Sequence, residues 1–321
     1  MIALNIAIAS VFALSILLLL FGFIIFKRIC VRSKTRREGF EEQFSEYRLS
    51  LATEQRLRSD YEWFDAHRSR EICAISHDGL RLFATVINAP TGLTPKGVVI
   101  LFHGYRSNAR RDFCMQARII HDAGYHLIVT DQRSHDRSEG KYICYGVKER
   151  FDVVTWKNEA TKIFGADIPI ALMGLSMGGA TVLMASELIS KEDTSLKCII
   201  ADCPFSSPKD IVSYVMKEHN KVPLTDLGLA FAGFWSRTLA GFTLSAPSAA
   251  QIYAKSHLPA LIFHGTDDDY VPIHHSKAVA DASGGRASLV TVAGAKHAEA
   301  IYYDEQKYTE SILAFLSENM K

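Results

Sequence analysis

The residue types best suited to chemistry lie in one glycine-rich segment, Gly174-Leu175-Ser176-Met177-Gly178-Gly179. An apolar run over 168–173 precedes it and predicts a buried strand, and residues 177–190 predict a helix. A serine between a strand and a helix, with a glycine two residues away on each side, is the pattern of a nucleophile elbow. The tight turn leaves no room for side chains at the two glycines. The alternative is a glycine-rich turn in which the serine only caps a helix.

A serine nucleophile needs a base, and the base needs a carboxylate that orients it. Residues 261–266 run from an apolar strand toward three consecutive acids, Asp267, Asp268 and Asp269. Residues 290–296 run from a second apolar strand to His297. Loops at the carboxyl ends of parallel strands can converge, so these two segments predict an acid and a base near the serine. Asp202, which follows an earlier strand, is an alternative acid.

Strands and helices alternate over most of the chain, and this order predicts an α/β protein with a doubly wound, mostly parallel sheet. The first two strands are expected to form an antiparallel hairpin through an Asp-Gly turn at 78–79. The predicted strands are 71–76, 80–87, 97–102, 126–130, 168–173, 197–201, 259–263 and 288–292. The predicted helices of this region are 110–123, 148–165, 177–190, 274–283 and 300–319.

Nearly sixty residues separate the strands 197–201 and 259–263, which is too long for a structureless connection. The apolar stretches in it predict a small helical cap at about 206–256 that covers the carboxyl edge of the sheet and lines a pocket. Its large apolar residues are Phe231, Phe234, Trp235, Leu239 and Phe242. The alternative is an additional helical layer that has no part in the pocket.

The N-terminus carries 25 almost uninterrupted apolar residues, from Ile2 to Phe26. A helix of about 20 residues crosses a bilayer, so this segment predicts one transmembrane helix within residues 1–27. A cleaved signal peptide is the alternative. It normally has a basic residue before a shorter apolar core and a small-residue cleavage site after it, and neither is evident here.

The basic residues that follow this helix predict its orientation. Residues 1–37 hold six Lys and Arg and no acid: Lys27, Arg28, Arg32, Lys34, Arg36 and Arg37. The positive-inside rule then predicts a cytoplasmic body. The remainder has 30 basic and 35 acidic residues, a net charge of −5, and no basic patch that would favour nucleic acid. Residues 28–70 read as a basic juxtamembrane segment and a connecting helix, because apolar residues recur helically from Phe40 to Leu51.

The six cysteines are Cys30, Cys73, Cys114, Cys144, Cys198 and Cys203. They show neither C-x-x-C spacing nor a Cys/His metal-ligand pattern, so no metal is predicted and most are expected to be small apolar residues. Cys30 follows the apolar segment and is predicted to be a plain thiol at the membrane edge, with palmitoylation as the alternative.

Residues 70–320 resemble the α/β-hydrolase superfamily, and are most similar to its esterase- and peptidase-like group with Bem46-like and prolyl-oligopeptidase-like serine hydrolases. Five motifs in order carry the resemblance: His103-Gly104 after a strand, the loop 131–140, the turn 174–179, His264-Gly265-x-x-Asp268-x-x-Val271-Pro272, and Lys296-His297. Asp136 stands in the loop where relatives often have glycine.

The resemblance implies a role for each site residue. Ser176 would be the nucleophile, His297 the base and Asp268 the orienting acid, and the backbone N–H groups of Tyr105 and Met177 would form the oxyanion hole. His103, Arg133, His135 and His264 would make structural hydrogen bonds. The superfamily reaction needs neither a metal nor an organic cofactor.

The predicted protein is therefore a membrane-anchored serine hydrolase of carboxylic esters, with thioesters and amides also open. Its hydrolase domain would span residues 71–321, and its partners would be a small-molecule acyl substrate and the lipid bilayer. Acyl transfer on the same fold and a catalytically silent, membrane-tethered scaffold are the alternative functions. The sequence leaves the oligomeric state open.

Overall fold

A computed structural model describes residues 1–33, 40–44, 47, 49–246 and 248–321. All eight predicted strands are present within a few residues of the expected bounds. They are β1 Arg70–Ile75, β2 Arg81–Ile87, β3 Val98–Phe102, β4 His126–Asp131, β5 Ile170–Leu175, β6 Leu196–Asp202, β7 Ala260–Gly265 and β8 Ala287–Val292.

The strands form one sheet in the order β1-β2-β4-β3-β5-β6-β7-β8. β2 pairs antiparallel with both β1 and β4, and every other pairing is parallel. The central strands β3 and β5 are buried at every residue, as expected of parallel strands with helices on both faces. The carboxyl ends of β3, β5 and β6 lie side by side, because Phe102 of β3 pairs with Gly174 of β5 and Leu175 of β5 pairs with Asp202 of β6. The predicted fold class is confirmed.

Twelve α-helices accompany the sheet in the described part of the chain. They are α1 Ile2–Cys30, α2 Phe40–Phe44, α3 Leu51–Ala66, α4 Ala109–Asp122, α5 Glu149–Phe164, α6 Met177–Ala185, α7 Pro208–Tyr214, α8 Thr225–Leu239, α9 Ala249–Tyr253, α10 His274–Ala282, α11 Ala300–Tyr303 and α12 Glu305–Asn319.

Two helix predictions need correction. The expected helix 300–319 is interrupted at Asp304, whose backbone is not helical and whose side chain caps α12 by accepting from the Lys307 N–H. The expected helix from Phe40 to Leu51 ends at Phe44, and Ser50 starts α3 by accepting from the Thr53 N–H. Residues 45, 46 and 48 of that prediction, residues Lys34, Arg36 and Arg37 of the basic segment, and Pro247 of the cap lie outside the described residues.

The long insertion between β6 and β7 is helical, as predicted. It contains α7, a π-helical turn at Val215–His219, α8 and α9. α8 packs along α1, so the insertion joins the N-terminal helix to the body of the protein.

Within the described residues, α1 is the one helix long and apolar enough to cross a membrane, a test that a signal sequence would also pass. Its last turn does not stand apart from the body. Phe26, Ile29 and Cys30 are buried, and the Ile143 N–H donates to the Cys30 carbonyl at 2.7 Å. Cys30, predicted to lie at the membrane edge, is therefore enclosed by the protein, with 0% of its surface exposed.

Candidate active site

The Gly174–Gly179 segment forms the sharp turn that its sequence predicts. Ser176 has φ 54° and ψ −113°, a strained conformation for a residue with a side chain. A Cβ on Gly178 would lie 1.8 Å from the Phe102 carbonyl oxygen, and one on Gly174 would lie 2.2 Å from the Gly178 carbonyl carbon. Only glycine fits at either position, and the turn presents Ser176 at the N-terminus of α6.

Three side chains from separate loops form a continuous hydrogen-bonded chain. His297, after β8, places Nε2 3.0 Å from the Ser176 Oγ. Its Nδ1 lies 2.7 Å from Oδ2 of Asp268, which follows β7. The Asp268 side chain is fully buried and the His297 side chain is one-fifth exposed. A hydroxyl, an imidazole and a carboxylate in this order can activate the hydroxyl as a nucleophile.

The structure distinguishes Asp268 from its two acidic neighbours. Asp267 and Asp269 are exposed, whereas Oδ1 of Asp268 accepts the backbone N–H groups of Tyr270 at 3.0 Å and Val271 at 2.7 Å. Burial alone would raise the pKa of Asp268, but hydrogen bonds from His264 and His297 hold it well below its usual range. The carboxylate beside His297 therefore remains ionised.

Asp202, the alternative acid, has a different partner. Its Oδ2 accepts from the Tyr308 hydroxyl at 2.7 Å. Burial raises the pKa of Asp202 to about 6, although the Tyr308 hydrogen bond and the nearby His264 and His297 oppose the rise. The acid that contacts His297 is therefore Asp268.

The loop after β3 carries the predicted Tyr105 oxyanion donor. The Gly104 N–H donates to Asp112 Oδ2 at 2.7 Å, and the Arg106 N–H donates to His135 Nε2 at 3.0 Å. Between them, the Tyr105 N–H has no acceptor among the described residues. Burial lowers the pKa of His135 to about 3, so its imidazole is neutral and its Nε2 can accept the hydrogen bond from the Arg106 backbone N–H. The Met177 N–H begins α6, where first-turn N–H groups lack helical partners.

The end of α1 supports this loop, which the sequence did not predict. The Tyr105 and Tyr145 hydroxyls both donate to the Ile29 carbonyl, at 2.8 and 3.0 Å. Nη2 of Arg106 donates to the Arg28 carbonyl at 2.6 Å. The two tyrosine rings stack with centroids 5.3 Å apart. In the sequence, residues 28–70 read as a connector, because nothing local marks a backbone carbonyl as the partner of a loop about 75 residues away.

An apolar cavity of about 230 Å³ adjoins Ser176. α7 and the π-helical turn supply part of its apolar wall, and Arg28 and Ile29 of α1 also line it. The apolar lining residues of the cap region are Phe205, Ile211, Val212, Val215 and Met216. The predicted cap pocket is thus present, but α8, which carries most of the cap's large aromatic residues, packs against α1 and does not line it.

A second and more polar cavity of about 450 Å³ shares Tyr105, Ser176 and Tyr270 with the first. His297 and Lys296 line it, together with charged residues of the loops and helices around it. Ser176 therefore has an apolar space and a polar space within reach, which suits a substrate with an apolar part and a polar part on either side of the reacting carbon.

The remaining polar residues of the site region have structural roles. Buried Arg133 pairs with Asp152 at 2.5 Å and with Asp78 at 2.9 Å, and so joins the loop to α5 and to the β1–β2 turn. Asp136, at the position where relatives often have glycine, has φ 38°, a region that glycine enters more readily.

Sequence spacing gave no sign of one further cluster, in which Cys203 lies close to Asp268 and His297 with their ligand atoms within 4.8 Å of one another. Burial raises the pKa of the Cys203 thiol well above its ordinary value. That opposes the deprotonation that metal binding requires, and the other two residues already bond to each other. The cluster belongs to the site described above.

Comparison with known proteins finds a matching family model and several similar proteins. A family model described as serine aminopeptidase, S33, matches residues 94–231, which is less than half of the chain. The uncharacterized protein YqkD of Bacillus subtilis is 26% identical over 226 residues, 70% of this chain and 72% of that protein. Human protein ABHD12B is 22% identical over 184 residues, 56% of this chain and 48% of that protein.

Solved structures with the same fold include two esterases. The Pyrococcus furiosus esterase Pf2001 superposes with a TM-score of 0.63 at 20% identity, over 78% of this chain and 91% of that one. The esterase RhEst1 of a Rhodococcus species superposes with a TM-score of 0.53 at 17% identity, over 77% and 98% of the two chains. With its sheet order, its elbow and these similarities, the chain has the α/β-hydrolase fold.

Proposed function

We propose that this protein is a serine hydrolase that cleaves carboxylic esters through a covalent acyl-enzyme. The observation that carries the proposal is the hydrogen-bonded chain from Ser176 Oγ through His297 to Asp268, at 3.0 and 2.7 Å. An ionised, buried carboxylate and an imidazole oriented by it are the partners that a serine needs to act as a nucleophile.

The reaction uses groups of this chain at every step. His297 Nε2 takes the Ser176 proton as Oγ attacks the substrate carbonyl carbon, and the Tyr105 and Met177 N–H groups stabilise the negative oxygen. Asp268 stabilises the imidazolium. His297 then gives its proton to the leaving group. Water, deprotonated by His297, attacks the acyl-enzyme, and His297 returns that proton to Ser176 Oγ as the acid is released.

The two cavities suggest how a substrate lies. The apolar cavity formed by α7, the π-helical turn and the end of α1 would take the acyl group, and the polar cavity would take the leaving group. This favours small or medium acyl esters over polar peptides. A panel of p-nitrophenyl esters of graded chain length, set against aminoacyl and peptide amides, tests the assignment. A clear preference for the amides would contradict it.

Acyl transfer to an alcohol or amine would use the same groups and remains the second reaction of this proposal. Product analysis with a competing alcohol separates the two, because hydrolysis yields only free acid whereas transfer yields the new ester.

We also propose that α1 is retained as a single membrane-spanning anchor with a cytoplasmic catalytic domain. Six basic residues, all within residues 27–37, follow its apolar segment. Cleavage after α1 would remove the Ile29 carbonyl that accepts from Tyr105, together with part of the cavity wall. A green fluorescent reporter fused after Lys321 should fluoresce in the cytoplasm. A fused alkaline phosphatase, which is active only outside the cytoplasm, should be inactive; activity would contradict the orientation.

A further inference from the structure

α8 has an exposed apolar side. Leu227, Phe234 and Leu239 are 39%, 49% and 45% exposed. The neighbouring surface of α1 is also apolar and exposed, through Leu20, Phe23 and Ile24. These six side chains form an apolar surface, here called the α1–α8 face. Exposed apolar side chains grouped on two packed helices can mark an interaction site.

The two helices run antiparallel and in close contact. A Cβ on Gly228 would meet the Ile25 side chain at 2.2 Å, and one on Gly22 would meet Phe231 at 2.3 Å. Further along, Trp235 Nε1 donates to the Leu19 carbonyl at 2.9 Å. α8 therefore runs back along α1 toward its N-terminus, which is the direction of the bilayer if α1 is the anchor.

The free part of α1, residues 2–17, is shorter than the hydrocarbon core of a bilayer is thick. Residues 2–17 are all exposed, and sixteen helical residues rise about 24 Å. The hydrocarbon core is about 30 Å thick, and a tilted helix needs additional length. About four more residues must enter the core, which brings in residues 18–21. Because Leu19 contacts Trp235, the C-terminal half of α8 must reach the membrane together with them.

The chemistry along the α1–α8 face suits a membrane boundary. Phe23, Trp235 and Phe234 form a chain of ring contacts, with centroids 5.1 and 5.3 Å apart. Aromatic rings of this kind concentrate at the interface between hydrocarbon and headgroups. Near the C-terminal end of α1, the exposed cations Lys27 and Arg28 lie where anionic headgroups of the cytoplasmic leaflet would attract them.

We propose that the α1–α8 face is a membrane-docking surface, whose partner is the leaflet of the bilayer that α1 crosses. Phe234 inserts at the boundary between acyl chains and headgroups, Leu239, one turn beyond Trp235, lies deeper among the acyl chains, and the body of the protein rests against the membrane. The last turn of the same helix contributes Arg28 and Ile29 to the wall of the apolar cavity, so docking also holds that cavity near the membrane surface. The proposal rests on α1 being the anchor and not on the hydrolase chemistry.

Spin labels on the full-length protein test this surface. A label would be attached at Phe234→Cys in a Cys73→Ser background, since Cys73 is the one exposed native cysteine among the described residues. Val11→Cys on α1 reports whether the anchor spans. Glu310→Cys on α12, an exposed residue on the opposite side of the sheet, is the matched water-exposed control. The protein would be reconstituted in vesicles of equal parts phosphatidylcholine and phosphatidylserine.

The measurement is the ratio of collision rates with oxygen, which enters lipid, and with a nickel chelate, which stays in water. The proposal expects a higher ratio at Phe234→Cys than at Glu310→Cys, approaching the ratio at Val11→Cys. A low ratio at Phe234→Cys with a high one at Val11→Cys overturns the docking surface and leaves the anchor standing. Low ratios at both positions overturn the anchor as well, while esterase activity of the same samples reports separately on the catalytic proposal.

Discussion

At the scale of single residues, the site depends on one carboxylate among three neighbours. Asp268 is buried, ionised and bonded to His297, whereas Asp267 and Asp269 point to solvent. Removing its charge would leave the imidazole without the partner that holds its tautomer and stabilises its cation.

We therefore expect Asp268→Asn to lower kcat for a p-nitrophenyl ester by about 10⁴, as in other serine hydrolases with this arrangement, with little change in the fold. Asp267→Asn, on the adjacent exposed residue, should retain activity within about twofold, because a surface substitution has small effects. Equal loss in both variants, or in neither, would show that Asp268 does not orient His297.

The buried Asp202 predicts a pH dependence of stability. Burial raises its pKa from 3.8 to about 6, so the folded state binds more protons than the unfolded state between these values. Its contribution to the free energy of unfolding falls as the pH rises through this window and stays at its minimum above it. The unfavourable contribution at neutral pH is about 3 kcal/mol.

Asp202→Asn should remove this cost, since an amide oxygen can still accept from Tyr308. Urea denaturation across pH 4 to 8 would measure the difference in unfolding free energy between variant and wild type. We expect the unfolding free energy of the variant to increase relative to that of the wild type as the pH rises to about 6. Above that pH, the difference between the two free energies should stay constant. A difference that does not change with pH would contradict the raised pKa.

At the scale of secondary-structure elements, the end of α1 acts as a support for the loop that carries the Tyr105 N–H. Tyr105→Phe keeps that N–H but loses the 2.8 Å hydrogen bond to the Ile29 carbonyl. One such bond contributes about 1 kcal/mol, so we expect kcat to fall by about fivefold with KM little changed. Tyr145→Phe, which loses a bond to the same carbonyl but carries no oxyanion donor, is the control and should lower kcat less.

The contribution of α7 to the apolar cavity can be tested by a substitution that reduces the volume of the cavity. Val212 is buried and lines the cavity, so Val212→Phe should fill part of it and reduce kcat/KM for longer acyl esters relative to acetate. A pocket changed by one methylene discriminates by about 10- to 200-fold. Ala230→Val on α8, which does not line this cavity, should leave the chain-length profile unchanged. An unchanged profile in Val212→Phe would place the acyl group elsewhere.

Local sequence patterns predicted most of the elements. Short apolar runs predicted all eight strands, and the glycines around Ser176 predicted the elbow. Both signals lie in residues that are neighbours in the sequence. The break at Asp304 was missed, since helical periodicity continues across it while a single side-chain cap interrupts the backbone.

The sequence motifs predicted only the part of the candidate site that they contain. Ser176 and His297 stand out by position, but residues alone left three adjacent acids open, and only the resemblance selected Asp268. Local sequence could not predict the contact of Ile29 with Tyr105 and Tyr145, because a backbone carbonyl has no sequence signature.

At the scale of the whole molecule, α1, the cap and the candidate active site form one connected structure. α1 packs along α8 of the cap, and its last turn supports the Tyr105 loop and lines the cavity beside Ser176. A helix that reads as a tether in the sequence therefore contributes to the candidate site, and we expect loss of α1 to affect both the proposed membrane location and the proposed catalysis.

The central claim is that Ser176 is an activated nucleophile, and covalent labelling of the full-length protein by a fluorophosphonate probe tests it most directly. The probe reacts only with a serine that a base has activated. We expect wild-type protein and the control Ser190→Ala, an exposed serine away from the site, to be labelled, and Ser176→Ala to be unlabelled. Labelling of Ser176→Ala at the wild-type level, or no labelling of folded wild type, would contradict the account and favour a catalytically silent scaffold.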